Sequence, residues 1–457
     1  MNLPGAYFVD WLIMHLPGSG ALAERFFDFT LSAVSVCAAW WLAPPRYRPA
    51  GIFAGAMFFL LHARDGAEQT GQRDWTMTVL ILVALAAWFH ASRSRGGGGR
   101  FYALAGIMFG CAATIKPSAL FFLLPLIVER LWRSRGQNRS SAAVRPCLLL
   151  GLGAALPPLA CILWLVHEHA LAAFLFSTLA MMRYHLSLHR LPAMVLVAHG
   201  ISGLRLPLLL GALLLPFAWP LLRGPEFALL CSEAAVGFLC YALQGKGYPY
   251  HRYPFAFLLL EVLGLVLIAS FSAEKRWVRW SASGALCLCC LVAAPKAARR
   301  ALNSRPEEDQ FGSLLRSDLQ KLGGPKLDGG VQCLDTFSGC IRVLYELRLH
   351  QSTGTLYGEF LFGPSGDSVI ERNRAGFAKE LLQNQPEAFI ITPQNYSGAS
   401  DTYRKIDAWP WFARYLAAGY RQCVERTPAA PQEWEGTPRV PEGYRIYVRK
   451  SLVNNLC

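Results

Sequence analysis

Charged residues are scarce in this sequence of 457 residues, of which Asp, Glu, Lys and Arg make up only 16%. A typical soluble domain has about 25%. The sequence also lacks the phosphate-binding loop GxxxxGK[ST], the zinc motif HExxH and the nucleophile turn GxSxG. An ATP-driven machine is therefore disfavoured. With 53% hydrophobic residues, the composition indicates a polytopic membrane protein that carries a soluble part.

The basic residues give the chain a net charge of +14, yet they form no cluster on one polar domain. They are scattered between apolar runs, a distribution that disfavours nucleic acid as a partner and is typical of cytoplasmic loops in membrane proteins. Nine of the thirteen cysteines, from Cys37 to Cys290, lie in or beside apolar segments. There they are expected to pack as small hydrophobic residues.

Apolar runs predict about ten membrane spans, which together form a transmembrane domain over residues 27–294. The runs are Phe27–Ala43, Gly51–His62, Trp75–His90, Phe101–Thr114, Ser118–Leu131, Cys147–Val166, Leu206–Leu222, Phe227–Leu243, Phe255–Ser270 and Ser281–Ala294. Several are short, so their boundaries could move by a few residues.

Loop charges predict the orientation of these spans, because short cytoplasmic loops accumulate Lys and Arg. The loops assigned to the cytoplasm hold Arg46 and Arg48, Arg93–Arg100, Arg130–Arg145, Arg223 and Lys275–Arg279. The alternate loops, Ala63–Asp74, Ile115–Pro117, His167–Arg205 and Gln244–Pro254, then lie outside. For the mixed segment between Glu168 and Arg205 we prefer helices in the outer interface, although two further spans would also preserve the alternation.

Residues 1–26 form a juxtamembrane segment that this topology places on the outer face. They have no basic region followed by an uninterrupted apolar core, so they are not a signal peptide. An outer N-terminus without a leader has no evident route across the membrane. We therefore expect a further span, with part of its outer loop, to precede Met1.

Residues 295–457 have no long apolar run and predict one soluble domain on the extracytoplasmic side. The stretches VQCLDTF, EAFIITPQ and GYRIYVRK are typical of strands, and AGFAKELLQNQ and WPWFARYLAAGY of amphipathic helices. The prediction is an α/β sandwich. Cys333 and Cys340 fit a disulfide and two unpaired core cysteines equally well.

The stretch QGKGYPYHRYP, Gln244–Pro254, is a polar island between two apolar runs. Lys246, His251 and Arg252 can supply positive charge, its glycines and prolines permit a tight turn, and Tyr248 and Tyr250 suit the headgroup layer. It could hold the phosphate of a lipid, or it could be an ordinary interfacial anchor.

Acidic residues on the same face are the candidates for chemistry. Asp65 and Glu68 share the loop HARDGAEQTGQRD, where a carboxylate pair could deprotonate a hydroxyl acceptor or bind a divalent cation. The alternative is a solvated loop whose charges mark the membrane boundary. Lys116, in TIKPS, is a cation between two spans, and snorkelling towards the headgroups would explain it equally well.

Three stretches together resemble the GT-C superfamily of integral-membrane glycosyltransferases, in particular bacterial relatives of the protein O-mannosyltransferases and of the lipid A aminoarabinose transferase. They are NLPGAYFVDWLIMHLPGSGALAERFFDF, TIKPSALFFLLP and QGKGYPYHRYP. The resemblance implies sugar transfer from a polyprenyl-phosphate donor to an extracytoplasmic glycan, lipid or protein at the inner membrane of a bacterial cell. It implies that Lys116, Lys246, His251 and Arg252 hold the donor phosphate, that Tyr248 and Tyr250 contact substrate, and that Asp65 and Glu68 approximate an acidic site.

Two other interpretations remain open. One is a non-catalytic protein that binds lipid-linked sugar, either a flippase or a truncated pseudoenzyme, because the acidic motif of the family's first outer loop would precede Met1. The other is a transporter, which would place polar residues near mid-span, where the sequence shows chiefly Ser32 and Ser35. The sequence singles out no metal ligands, and a divalent cation is the one cofactor it suggests.

Overall fold

The computed structural model describes residues 3–16, 21–66, 69–94, 98–136, 140–187, 190–303, 310–335, 339–363, 366–393, 403–427 and 443–453. The chain divides into two compact units, Met1–Arg305 and Pro306–Cys457.

The first unit is helical. Its helices are α1 (Pro4–Met14), α2 (Ala21–Leu42), α3 (Pro49–Asp65), α4 (Arg73–Arg93), α5 (Gly99–Ile115), α6 (Leu123–Gly136), α7 (Ser140–His167), α8 (Leu171–Ser187), α9 (Ala193–Gly200), α10 (Arg205–Leu222), α11 (Pro225–Gln244), α12 (Tyr253–Ser270) and α13 (Arg276–Asn303). Short 3-10 helices at Pro117–Phe122 and Pro249–Arg252 precede α6 and α12.

Each predicted apolar run lies in a helical segment. Among the described residues, six helices are long and apolar enough to cross a membrane: Arg73–Arg93, Val144–His167, Arg205–Leu222, Pro225–Gln244, Pro249–Ser270 and Arg276–Leu302. Prolines inside α7, α10 and α13 do not end these helices. Neighbouring helices and local adjustments satisfy the backbone groups that such prolines free. As a result α13 continues past Pro295, where the sequence predicted the soluble domain to begin.

The helices pack around α4 and α12, whose apolar side chains are mostly buried. Close approach depends on small residues. At Gly106 of α5 a Cβ would overlap the backbone of Leu150 in α7, so only glycine allows these two helices to touch. The first unit is therefore a helical bundle with α4 and α12 inside.

The second unit is a four-stranded sheet between helices. Its elements are α14 (Gln310–Leu322), β1 (Val331–Leu334), α15 (Cys340–Glu346), α16 (Ser368–Asn384), β2 (Ala388–Ile391), α17 (Pro410–Gly419), β3 (Tyr420–Arg426) and β4 (Tyr444–Arg449). The strand order is β1-β2-β4-β3. β1 and β2 are parallel, and β4 is antiparallel to both of its neighbours.

The predicted strands and amphipathic helices of this unit are confirmed as β1, β2, β4, α16 and α17. Sequence reasoning missed β3, because an edge strand carries charged residues and shows little apolar alternation. Of the two alternatives for its first cysteines, the structure has the disulfide, which joins Cys333 to Cys340.

Candidate functional site

Three loops that were predicted to share the outer face meet at one end of the first unit. Arg252 pairs with Asp65 at 2.8 Å, and Lys116 contacts Asp74 at 2.7 Å and Gln244 at 2.6 Å. Helix ends that alternate in direction have brought these side chains together, which is the arrangement that the loop assignment predicted. We call the group at this end the polar cluster. Its members are Asp28, His62, Asp65, Asp74, Lys116, Gln244, Arg252 and Tyr253.

Arg252 joins three elements of the polar cluster. Its Nη2 donates to both carboxylate oxygens of Asp65, at 2.8 and 3.0 Å, and its Nη1 donates to the carbonyls of His199 and Ser202 at 2.7 and 2.6 Å. The two charged side chains are only 3% and 7% exposed. This charge-assisted pair, almost free of solvent, connects the end of α3 to the start of α12.

Lys116 forms the second ion pair, directly after α5. Its Nζ donates to Asp74, which is fully buried, and to the amide oxygen of Gln244 at the end of α11. Burial lowers the pKa of Lys116, and the Asp74 carboxylate opposes that shift. Arg73 Nε lies 3.7 Å from the other Asp74 oxygen. A single carboxylate therefore holds two cations near the start of α4.

His62 connects α2 to α12. Its Nε2 lies 2.8 Å from Asp28 Oδ2 and its Nδ1 lies 2.8 Å from the hydroxyl of Tyr253. The backbone N–H of Gly71 donates to the remaining Asp28 oxygen at 3.1 Å. A carboxylate oxygen accepts hydrogen bonds, so the imidazole can donate from Nε2 to Asp28. Buried aromatic rings surround the imidazole, among them Trp75 at a centroid distance of 5.9 Å.

The polar island folds as a tight loop that ends in the short 3-10 helix. Lys246 and His251 are 7% and 8% exposed. The rings of Tyr248 and Tyr250 stack at 5.6 Å, and His251 meets each of them edge-on at 5.3 and 4.5 Å. Gly247 has φ +71°, which favours glycine. Of the predicted donor-phosphate residues of this loop, Arg252 belongs to the polar cluster, and Lys246 and His251 lie on the same loop together with Tyr248 and Tyr250.

The segment between Glu168 and Arg205 contains the helices α8 and α9, and helices were predicted for this segment. The backbone N–H of Leu191 donates to the Gly245 carbonyl at 2.8 Å. Arg252 also bonds the carbonyl of His199, at the end of α9. This segment consequently packs against the polar island at the same end of the bundle.

The opposite end of the bundle has its own charged connection. Arg93, the last residue of α4, donates to both oxygens of Glu226 and to the carbonyls of Trp41, Leu42 and Ala43. α4 has 21 residues, so Arg93 lies about 30 Å from the polar cluster. Loops predicted to be cytoplasmic therefore also share one end.

Sequence reasoning missed several polar groups of the bundle. Asp28 is the second residue of one apolar run and His62 the last residue of another, and neither was identified as a site residue. Glu233 in α11 and Glu261 in α12 are fully buried, and within the described residues their carboxylate oxygens have no hydrogen-bond partner. A single Glu inside an otherwise apolar run was the signal that could have found them.

The predicted acidic site is described in part. Glu68 lies outside the described residues, so the predicted pair with Asp65 has only one described member. Across the described ranges no three His, Cys, Asp or Glu side chains converge as ligands for a metal ion. The described residues thus do not supply a donor set for the optional divalent cation, and no chemical step below depends on it.

Comparison with known proteins gives one family model and several solved structures. The model for dolichyl-phosphate-mannose-protein mannosyltransferases matches residues 3–164. No curated protein matches the chain by sequence.

Similar solved structures cover almost the whole chain. ArnT from Cupriavidus metallidurans, bound to undecaprenyl phosphate, has 14% identity and a TM-score of 0.57 over 98% of this chain and 87% of that one. The Archaeoglobus fulgidus oligosaccharyltransferase, tethered to an acceptor peptide, has 11% identity and a TM-score of 0.50 over 96% and 66%. The mycobacterial arabinofuranosyltransferase AftD has 14% identity and a TM-score of 0.50 over 95% and 36%.

Proposed function

We propose that this chain, which has the GT-C fold of membrane glycosyltransferases, is an enzyme that moves a sugar from a polyprenyl-phosphate carrier to an acceptor outside the cytoplasm. The acceptor is a glycan, a lipid or a protein. The observation that carries this proposal is the polar cluster, where cations and carboxylates from distant loops converge at one end of an apolar bundle. Buried ionisable groups in a membrane bundle are costly unless they serve a function, and this supports a site at the polar cluster.

The donor phosphate is proposed to bind at the polar island. Lys246 and His251 lie on that loop, with Arg252 directly after them and Lys116 beside Gln244. Cations placed here would stabilise the charge that develops on the leaving phosphate. Lys116 is paired with Asp74, and Arg252 with Asp65. A phosphate bound to these two cations would share them with the two carboxylates. The rings of Tyr248 and Tyr250 form an apolar wall next to this position.

The proposed reaction is a direct displacement at the anomeric carbon. An acceptor hydroxyl attacks that carbon, the bond to the phosphate oxygen breaks, and a carboxylate receives the hydroxyl proton. Asp65 and Glu68 stay the predicted carboxylates for this role. In the structure both oxygens of Asp65 accept from Arg252, so proton transfer to Asp65 would require this pair to loosen as substrate binds.

The location at the inner membrane, with the second unit outside the cytoplasm, is part of the proposal. The nine free cysteines that the structure describes all belong to the first unit. Cys333 and Cys340 of the second unit form a disulfide. Disulfides persist in oxidising compartments and are rare in the cytosol, which supports an extracytoplasmic second unit.

The test is a transfer assay in membrane vesicles with radiolabelled polyprenyl-phosphate sugars. The test variant is Lys246→Met, which keeps an apolar stem and removes the charge. The matched control is Lys275→Met, an exposed lysine that follows α12 at the opposite end of the bundle. We expect transfer by the unchanged protein, a loss of at least about tenfold in Lys246→Met, and no loss in the control.

A second measurement separates the rival interpretation. Thermal stabilisation by undecaprenyl phosphate reports carrier binding whether or not sugar is transferred. Folded protein that is stabilised by the carrier but transfers none of the sugars would contradict the enzyme and favour a flippase or a pseudoenzyme. Equal transfer by both lysine variants would instead refute the role given to the polar island.

A further inference from the structure

A groove on the surface of the second unit has the composition of a ligand site. It lies between the 3-10 helix Tyr403–Ala408, α17 and the strands β3 and β4, and its volume is about 340 Å³. Ligand pockets start at about 300 Å³. The residues that give it chemical character are Tyr403, Arg404, Asp407, Tyr420, Arg445 and Tyr447.

Strand β4 creates the floor of the groove by its alternation. Tyr444, Ile446 and Val448 are fully buried on one face, while Arg445 and Tyr447 are partly exposed on the other. β2 is the neighbouring strand of β4, and on that second face its residues Phe389 and Ile391 pack against α17. Arg445 and Tyr447 are not fully covered on this face, and both line the groove.

The groove is rigid where it is aromatic. The Arg445 guanidinium lies 3.9 Å from the centroid of the Tyr403 ring, and its Nη2 donates to Glu425 at 2.8 Å. The hydroxyl of Tyr420 donates to the carbonyl of Pro386 at 2.7 Å. Burial raises the pKa of Tyr403 to about 12, with Arg445 opposing the shift. At neutral pH the Tyr403 hydroxyl is therefore protonated and can donate a hydrogen bond.

Charge in the groove is balanced. Glu425 neutralises Arg445, and Arg404 and Asp407 are two opposite charges on the same short helix. A phosphate or nucleotide site would carry a positive excess. The groove instead places tyrosine rings next to a guanidinium, which donates several hydrogen bonds, and a carboxylate, which accepts several. A sugar ring presents the complement, with apolar C–H faces and a rim of neighbouring hydroxyls.

We propose that this groove binds a neutral saccharide of one or two rings. The proposal is for binding and not for cleavage, because Asp407 is the single carboxylate that lines the groove and Glu425 is paired with Arg445, whereas glycoside hydrolysis uses two carboxyl groups across the bond. The inference does not depend on the transfer reaction, since it concerns the second unit and its own side chains alone.

The test is saturation-transfer-difference NMR on the full chain with a panel of neutral sugars. The panel contains methyl mannoside, methyl glucoside, N-acetylglucosamine, cellobiose and maltose. The protein is kept in nanodiscs, because the headgroup of a maltoside detergent is itself a saccharide and would compete. No donor carrier is added, so failure of the transfer assay leaves this measurement interpretable.

The informative variants are Tyr447→Ala and Arg404→Ala. The first removes a ring from the floor, and the second removes an exposed side chain whose loss leaves the core intact. We expect affinity for the bound sugar to fall about tenfold in each. The control is Tyr345→Ala, an exposed tyrosine on α15, which is expected to bind as the unchanged protein does.

Three results would overturn the proposal. The first is that none of the neutral sugars receives saturation from the unchanged protein. The second is that both groove variants bind sugar as well as the unchanged protein does. The third is that galacturonate, measured beside the panel as an acidic sugar, binds in preference to the neutral ones. Circular dichroism and melting temperature measure whether each variant is folded. If Tyr447→Ala is unfolded, the sugar affinity of Arg404→Ala tests the proposal.

Discussion

Arg252 donates hydrogen bonds to both oxygens of Asp65, a residue 187 positions earlier in the chain. The pair is almost free of solvent, and the same guanidinium also holds two backbone carbonyls. Breaking a buried pair by removing one partner costs about 3–5 kcal/mol, because the other charge is left uncompensated.

Arg252→Ala should therefore lower the melting temperature of the detergent-solubilised protein strongly. Adding Asp65→Asn should recover part of the loss, since it removes the stranded charge. Arg223→Ala, an exposed arginine after α10, serves as the control and should melt as the unchanged protein does. If Arg252→Ala melted like this control, the pair would not stabilise the polar cluster.

Gly247 is expected to tolerate no side chain. With φ +71°, a Cβ there would lie 2.5 Å from Leu191 Cδ1 and 3.0 Å from His199 Nδ1. Gly247→Ala should cost about 1–3 kcal/mol in backbone strain and should reduce sugar transfer by displacing the polar island. Melting temperature and transfer are the two measurements. The control is Gly284→Ala, at a helical glycine with nothing within 4 Å of the new Cβ. We expect its stability to be unchanged or slightly higher. If Gly247→Ala and Gly284→Ala had equal effects, this would be evidence against the geometry of the Gly247 loop.

Buried Glu261 and paired Glu226 should respond in opposite ways to the same substitution. Within the described residues the Glu261 carboxylate has no hydrogen-bond partner, so Glu261→Leu should leave the melting temperature unchanged or raise it. Glu226→Leu deprives Arg93 of a two-point partner and should lower it. A Glu261→Leu protein that is more stable but transfers no sugar would identify this carboxyl as functional. A clear loss of stability in that variant would mean that Glu261 has an unrecognised partner.

Asp318 should make the second unit sensitive to acid. Burial acts to raise its pKa, but hydrogen bonds from Arg426 and Tyr444 outweigh burial, so the pKa is lowered. The unfolded chain binds its proton at about pH 3.9. The stabilisation is therefore present above that pH and is lost as pH falls through the folded pKa.

Asp318→Asn should accordingly lower the melting temperature at pH 7, and the difference from the unchanged protein should shrink below about pH 4. Thermal scans from pH 3 to pH 7 measure this. Glu380→Gln is the control, because its amide oxygen can still accept the hydrogen bond from Gly354. A difference that stayed constant over the whole pH range would argue against an ionised Asp318.

The Cys333–Cys340 disulfide connects the strand β1 to the first residue of α15. Peptide mapping without reductant should recover the two cysteines as a linked pair, and Cys287, a free cysteine of the first unit, as an unlinked peptide. Replacing both linked cysteines by Ala should cost the second unit about 2–3 kcal/mol. Recovery of both as free thiols from native membranes would contradict the proposed oxidising location.

Much of the fold followed from local patterns. Apolar runs predicted the helices and loop charges predicted which loops share an end, because hydrophobicity and the Lys and Arg bias act on short segments one at a time. The same reasoning identified Lys116 and Arg252 as cations at the end of the bundle that holds the polar cluster. It did not find their partners, since loops far apart in sequence give no sign of which carboxylate will face which cation.

The sequence by itself determined that this chain is a helical membrane protein with an α/β unit, and its motifs resembled the GT-C enzymes whose fold it has. Only the tertiary structure decided that Arg252 and Asp65 form a pair, that His62 lies between Asp28 and Tyr253, and that a groove of tyrosines and arginines opens beside β4. The reason is physical. Secondary structure and membrane burial depend on neighbours along the chain, whereas an ion pair or a groove depends on how separate helices and strands pack in space.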